Sequence, residues 1–178
     1  MYKKKDIHFL IENYAKNPFN CQQDFINCGI ARNVYRLDET HVIKISQNTL
    51  NCHINHGTMT DGVAQTMREI AVYKNVPFEY KYLFNPIVDK GIYAGYTYIV
   101  QEYVDVAGDR VESTTYEEVC KTLNYNQEEI DRRVEDIEKV CELFDLERGD
   151  ILDYSANLGV KQDNAQLVVI DYGFPIVG

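Results

Sequence analysis

Two hydrophobic periods divide this chain, and their order constrains the fold more than any other feature. Residues 24–46 and 85–104 alternate apolar and polar side chains in the manner of strands, whereas residues 116–144 repeat apolar positions at helical spacing. Strands gathered in one stretch and helices in another point to an α+β arrangement rather than to the regular alternation of a parallel sheet. Three early segments read as strands: Phe25-Ile26, Asn33-Val34-Tyr35-Arg36-Leu37 and His41-Val42-Ile43-Lys44-Ile45, the last two joined by an Asp38-Glu39-Thr40 turn. Two more follow at 85–89 and 96–104, separated by a turn region between Gly91 and Gly95. Between the groups lie a polar loop at 46–62 and one helix, with Val63, Met67, Ile70 and Ala71 on one face and Pro77 as its stop. The first part is therefore expected to be a five-stranded antiparallel sheet with one helix inserted after the third strand.

A short helix over residues 5–16 precedes the sheet, with Ile7, Leu10, Ile11 and Tyr14 on one face and Asn17-Pro18 closing it. In the second part, Thr114 or Thr115 caps a helix over 116–123. Asn126 caps a longer one whose Ile130, Val134, Ile137, Cys141 and Phe144 form an apolar stripe. A turn-rich segment at 147–155 leads to a closing hairpin, Asn157 to Val160 and Gln166 to Ile170.

Charge follows the same division. Residues 1–100 hold 11 Lys/Arg against 9 Asp/Glu, and residues 101–178 hold 7 against 19, so the net −10 of the chain is +2 in the first part and −12 in the second. That distribution disfavours direct nucleic-acid or anionic-membrane binding, which needs a basic surface. Seven of the 19 carboxylates lie on the 126–144 helix, as a solvated face or a surface for a protein partner. Five cysteines form no CxxC pair and an odd count, which fits reduced thiols and a cytoplasmic setting. No run is long enough to cross a membrane and no signal-type apolar segment follows the basic start. Cys52, His53 and His56 are near one another in sequence, but their spacing fits no standard zinc site.

Four features fall in one order: a loop Asn27-Cys28-Gly29-Ile30-Ala31-Arg32 running into a strand, Lys44 within Val42-Ile43-Lys44-Ile45, Glu69 on the inserted helix, and Asn157 and Asp171 flanking the late hairpin. A lone strand lysine is commonly a snorkelling surface residue. A buried one needs a carboxylate or phosphates to offset its charge. Over roughly residues 24–174 this order resembles the protein-kinase superfamily. It is more similar to the small, truncated kinase-like and aminoglycoside-phosphotransferase-like branches, phage-encoded proteins included. The resemblance implies ATP and Mg²⁺ as cofactors. Gly29 and Lys44 would then contact phosphates, and Glu69 would orient Lys44. Glu102 and Tyr103 would lie in the adenine-binding hinge, and Asn157 and the Asp171 of Asp171-Tyr172-Gly173 would hold metal. It also implies one kinase-like domain over residues 1–178, with a sheet-rich lobe over about 20–103 and a reduced helical lobe over 104–178 that ends in a β-hairpin.

The sequence departs from that pattern in three places. Asn27 and Arg32 stand where two of the three loop glycines are expected, so only Gly29 remains. The catalytic-loop histidine is missing, and the position five before Asn157 is Leu152; Asp153, four before, is favoured as the base over Asp150, seven before. Five residues follow Gly173, so the activation segment and the helices behind it have no counterpart. Two functions are compatible with this set. One is a minimal ATP-dependent phosphotransferase. The other is a catalytically impaired pseudokinase that binds and modulates a host or partner protein, in the host cytoplasm if phage-encoded.

Overall fold

The computed structural model describes residues 2–17, 21–28, 32–46, 54–55, 58–59, 62–107 and 115–172. The chain divides into two compact units, residues 1–70 with 86–103 and residues 71–85 with 104–178.

The first unit opens with α1 (Lys4–Lys16), which buries Ile7, Leu10, Ile11 and Tyr14, the four residues its spacing predicts. Then come β1 (Phe25–Cys28), β2 (Arg32–Arg36) and β3 (His41–Ser46). The stretch expected to be loop contains a two-rung antiparallel ladder, β4 (Ile54–Asn55) with β5 (Thr58–Met59). After helix α2 (Gly62–Asn75) the sheet resumes with β6 (Ile87–Tyr93) and β7 (Tyr96–Glu102). The sheet is antiparallel throughout, in the order β1-β2-β3-β7-β6. Strand alternation then sorts β3 by face. Ile43 and Ile45 join Tyr35, Tyr98 and Val100 in a core closed by α1, which puts Val42, Lys44 and Ser46 on the opposite face.

Two expectations are corrected here. The α2 face predicted from Val63, Met67, Ile70 and Ala71 is not the buried one: Gln65, Thr66, Glu69 and Val72 are buried, and Met67 is 51% exposed. Polar bonds replace the apolar contacts at the start of the helix, where Ser46 Oγ donates to the Gly62 carbonyl at 3.0 Å and lies 2.7 Å from Thr66 Oγ1. The β6–β7 turn is also tighter than predicted. Ala94 and Gly95, at φ 49° and 84°, make it alone, as a two-residue hairpin turn with both central φ positive requires. Gly91 belongs to the strand: a Cβ there would lie 2.8 Å from the Tyr98 hydroxyl.

In the second unit a 3-10 turn (Phe78–Leu83) precedes β8 (Asp105–Val106), α3 (Tyr116–Thr122) and α4 (Gln127–Phe144). The segment read as turns holds α5 (Arg148–Leu152) and a 3-10 turn (Ser155–Asn157). The predicted hairpin is β9 (Leu158–Val160) with β10 (Leu167–Val169), and β8 adds a third strand in the order β10-β9-β8. Thr115 and Asn126 cap α3 and α4, each accepting the N–H three residues on. The α4 stripe differs from the reading in two ways: Arg133 and Val140 are buried though not expected to be, and Val134 and Phe144 are only partly buried. Leu83, Phe84, Ile137, Leu158 and Leu167 are among the side chains of this core. Cys120 and Cys141 are buried free thiols, pushed up to about 11 by burial, which keeps them protonated and unreactive. The described residues thus form an α+β fold with a five-stranded antiparallel sheet.

Candidate functional site

Lys44 and Glu69 meet within the first unit. Lys44 is 6% exposed and Glu69 is fully buried, with Lys44 Nζ 3.3 Å from Glu69 Oε1. Two further side chains hold the carboxylate. Arg32 Nη1 donates to Oε2 at 2.5 Å, and Gln101 Nε2 donates to Oε1 at 3.1 Å. The strand registers explain the convergence. Arg32 pairs with Ser46, Val34 with Lys44, and Val42 with Gln101, so Arg32, Lys44 and Gln101 all project from the sheet face that α2 covers. Neither Arg32 nor Gln101 was singled out as a partner of Glu69. The signal was available for Arg32, because alternation about the 38–40 turn puts residues 32, 34 and 36 in phase with 42, 44 and 46.

Glu102 ends β7 opposite His41. The Tyr103 N–H donates to the Thr40 carbonyl at 2.8 Å, and the Arg36 guanidinium stacks 3.6 Å above the Tyr103 ring. That amide is thus satisfied within the unit. Gly29 lies outside the described residues, as do Gly173 and the Cys52, His53 and His56 group. His41 instead contacts Asp38, at 2.9 Å through Nδ1.

Asn157, Asp171 and Asp150 come together in the second unit. The Ile170 N–H donates to the Asn157 carbonyl at 2.8 Å, one rung beyond the Leu158–Val169 pair, which sets Asn157 and Asp171 at the same end of the hairpin. Asn157 Nδ2 donates to the Asp150 backbone carbonyl at 2.7 Å, tying the first turn of α5 to that end. Beside Asp171, Tyr172 is 1% exposed and packs on Phe84 with ring centroids 4.7 Å apart. Burial, with the Asp171 charge next to it, pushes the Asp150 carboxyl up to about 6 against the opposing pull of the Asn157 amide. Its Oδ2 is buried with no hydrogen-bond partner among the described residues. Asp153 is exposed at the C-cap of α5, and its N–H donates to the Gly149 carbonyl at 2.9 Å.

The donor set suits a hard cation. The Asp171 carboxylate and the Asn157 amide oxygen are the kind of ligands Mg²⁺ takes alongside phosphates. No group of three or more His, Cys, Asp or Glu side chains that could hold a metal ion occurs among the described residues. No described helix is long and apolar enough to cross a membrane.

No protein-family model matches the chain, and no curated protein sequence matches it. Among solved structures, the chain is similar to WbdD in a co-crystal with the kinase inhibitor LY294002, at 17% identity and TM-score 0.48 over 84% of this chain. It is also similar to a medium-resolution structure of the bifunctional kinase-methyltransferase WbdD, at 16% identity and TM-score 0.44 over 90% of this chain. The chain spans about a third of the length of those proteins, 32% in each case.

Proposed function

We propose that this chain is a kinase-like protein that binds ATP with Mg²⁺ and transfers a phosphoryl group to an acceptor hydroxyl. The observation that carries this reading is the buried contact between Lys44 and Glu69, a strand lysine and a helix glutamate 25 residues apart, at 3.3 Å. A surface lysine would not reach a fully buried carboxylate. In this reading Lys44 binds the phosphates and Glu69 fixes its direction. Asn157 and Asp171 would hold the Mg²⁺, whose charge offsets that of the polyphosphate when bound. Glu102 and Tyr103 border the adenine, and Gly29 belongs to the loop over the phosphates.

Asp150 takes the role of base in place of Asp153. It is the carboxylate held next to Asn157 and Asp171, and a value of about 6 leaves it ionised at neutral pH yet basic enough to accept a proton. The acceptor oxygen attacks the γ-phosphorus while its proton passes to Asp150. The bond from the γ-phosphorus to the bridging oxygen breaks, with its electron pair leaving on ADP. Internal pairs lace the acidic face of α4, with Arg132 to Glu129 at 2.7 Å and Lys139 to Glu135 at 2.9 Å. They leave less free negative charge for a docked partner than the sequence count suggests.

The test is the thermal midpoint with and without Mg-ATP for the wild type, Lys44→Ala and Asp171→Ala. A rise in the wild type that both variants lose supports the reading. No rise in the wild type removes it. A rise without turnover on any acceptor leaves the pseudokinase form of the reading.

A further inference from the structure

Glu69 has two carboxylate oxygens, and its cations do not share them equally. Arg32 takes Oε2 at 2.5 Å, whereas Lys44 reaches Oε1 at 3.3 Å and shares that oxygen with Gln101 at 3.1 Å. The short charge-assisted contact is therefore the one to Arg32. An arginine is suited to it, since guanidinium stays charged at any working pH and matches a carboxylate edge better than an ammonium does. Arg32 is only 3% exposed and sits at the first position of β2, opposite Ser46, whose hydroxyl meets Thr66 on α2. Strand and helix are thus fastened at two adjacent points on the same face.

We propose that Arg32 is a positioning residue that holds Glu69 by Oε2 and so keeps the carboxylate from closing on Lys44. With Arg32 in place, the contact between Lys44 and Glu69 stays long, at 3.3 Å. Without it, Glu69 turns to Lys44 and tightens on it. The consequence for polyphosphate binding rests on the nucleotide reading above. The effect on Lys44 itself does not.

The decisive experiment follows Lys44 without nucleotide. Acetylation of Lys44 by limiting acetic anhydride, quantified by mass spectrometry, reads the fraction of unprotonated, accessible amine. Arg32→Met is expected to slow it by about tenfold, the scale of one added charge-assisted contact to the ammonium. Arg32→Met with Glu69→Gln restores the rate, because the carboxylate that closes on Lys44 is gone, and Arg32→Lys stays near the wild type. Circular dichroism reports which variants are folded, and Arg32→Gln replaces Arg32→Met if the latter is not. Equal rates in the wild type and Arg32→Met overturn the proposal, as does a slowed rate that Glu69→Gln does not restore. In parallel, Mg-ATP affinity falls in Arg32→Met. A wild type that binds no Mg-ATP removes the nucleotide reading, and the acetylation rates then decide the role of Arg32.

Discussion

Replacing Asp150 with Asn should stabilise the protein at neutral pH while abolishing phosphoryl transfer. The carboxyl goes from an ordinary 3.8 to about 6 on folding, first through burial and then through the neighbouring Asp171 charge. The folded protein therefore holds this proton more tightly than the unfolded chain does. Below about pH 3 the group is protonated in both states and costs nothing. As pH rises from about 3 to 6 the unfolded chain loses the proton first, and stability falls. Above about pH 6 the cost is fully present, at roughly 3 kcal/mol if the site were dry and about 1–2 kcal/mol once solvent screening of a half-buried group is counted. Asn has no proton to lose and fills nearly the same volume. Urea denaturation of both proteins at about pH 3 and pH 7.5 checks this. The variant should match the wild type at the lower pH and exceed it by about 1–2 kcal/mol at the higher. An Asn variant that is less stable at pH 7.5, or a gap that is the same at both pH values, refutes the reasoning.

Other consequences concern the packing around the site. Arg133 donates to Glu129 at 2.8 Å and to the Tyr116 hydroxyl and the Leu167 carbonyl at 3.3 Å, with the Tyr125 ring 4.8 Å away. Arg133→Ala should cost about 3 kcal/mol in urea, because it strands buried acceptors, and Arg133→Met less, because the stem still packs. A loss under about 0.5 kcal/mol for the alanine variant would show that the guanidinium is not a structural pin. Gly159→Ala should destabilise by about 1–3 kcal/mol, since its Cβ would run into Val104 and come within 2.7 Å of Ile170, both β-branched and unable to rotate away; an unchanged thermal midpoint contradicts this. Burial pushes Asp38 up, but the Thr40 N–H, His41 and the Tyr2 N–H outweigh it and hold its carboxyl well below the usual range. Its contribution is present above about pH 4 and is lost as pH falls from there. The stability gap between the wild type and Asp38→Ala should accordingly shrink on acidification below pH 4, and a gap independent of pH would rule the network out.

Much of this architecture was legible where apolar spacing and burial agree. Ile7, Leu10, Ile11 and Tyr14 lie on one side of α1 because nothing polar competes for that face. In α2 the pattern misleads, since Thr66 and Glu69 are buried by hydrogen bonds while Met67 faces outward, and periodicity cannot see a polar interface. Gly91 read as a turn because a glycine is permissive, yet its place in β6 is set by the Tyr98 ring across the ladder. Lys44 and Glu69 were readable as a pair through the family resemblance that the order of motifs carries. Arg32 and Gln101 needed the strand register. Counting back from Asn157 points to Asp153, and what counting cannot show is that α5 and the 3-10 turn after it bring the Asp150 backbone to the Asn157 amide.

The position of β7 has a bearing on how the first unit is made. It is the last strand of that unit to leave the ribosome, yet it pairs between β3 and β6, and its Gln101 supplies one of the bonds to Glu69. Until residue 102 is available, α1 has only part of its core to rest on and β3 carries an open edge. Nascent chains shorter than that should therefore be recognised by chaperones and cut by proteases, with protection of α1 appearing in one step once the β6–β7 hairpin has emerged.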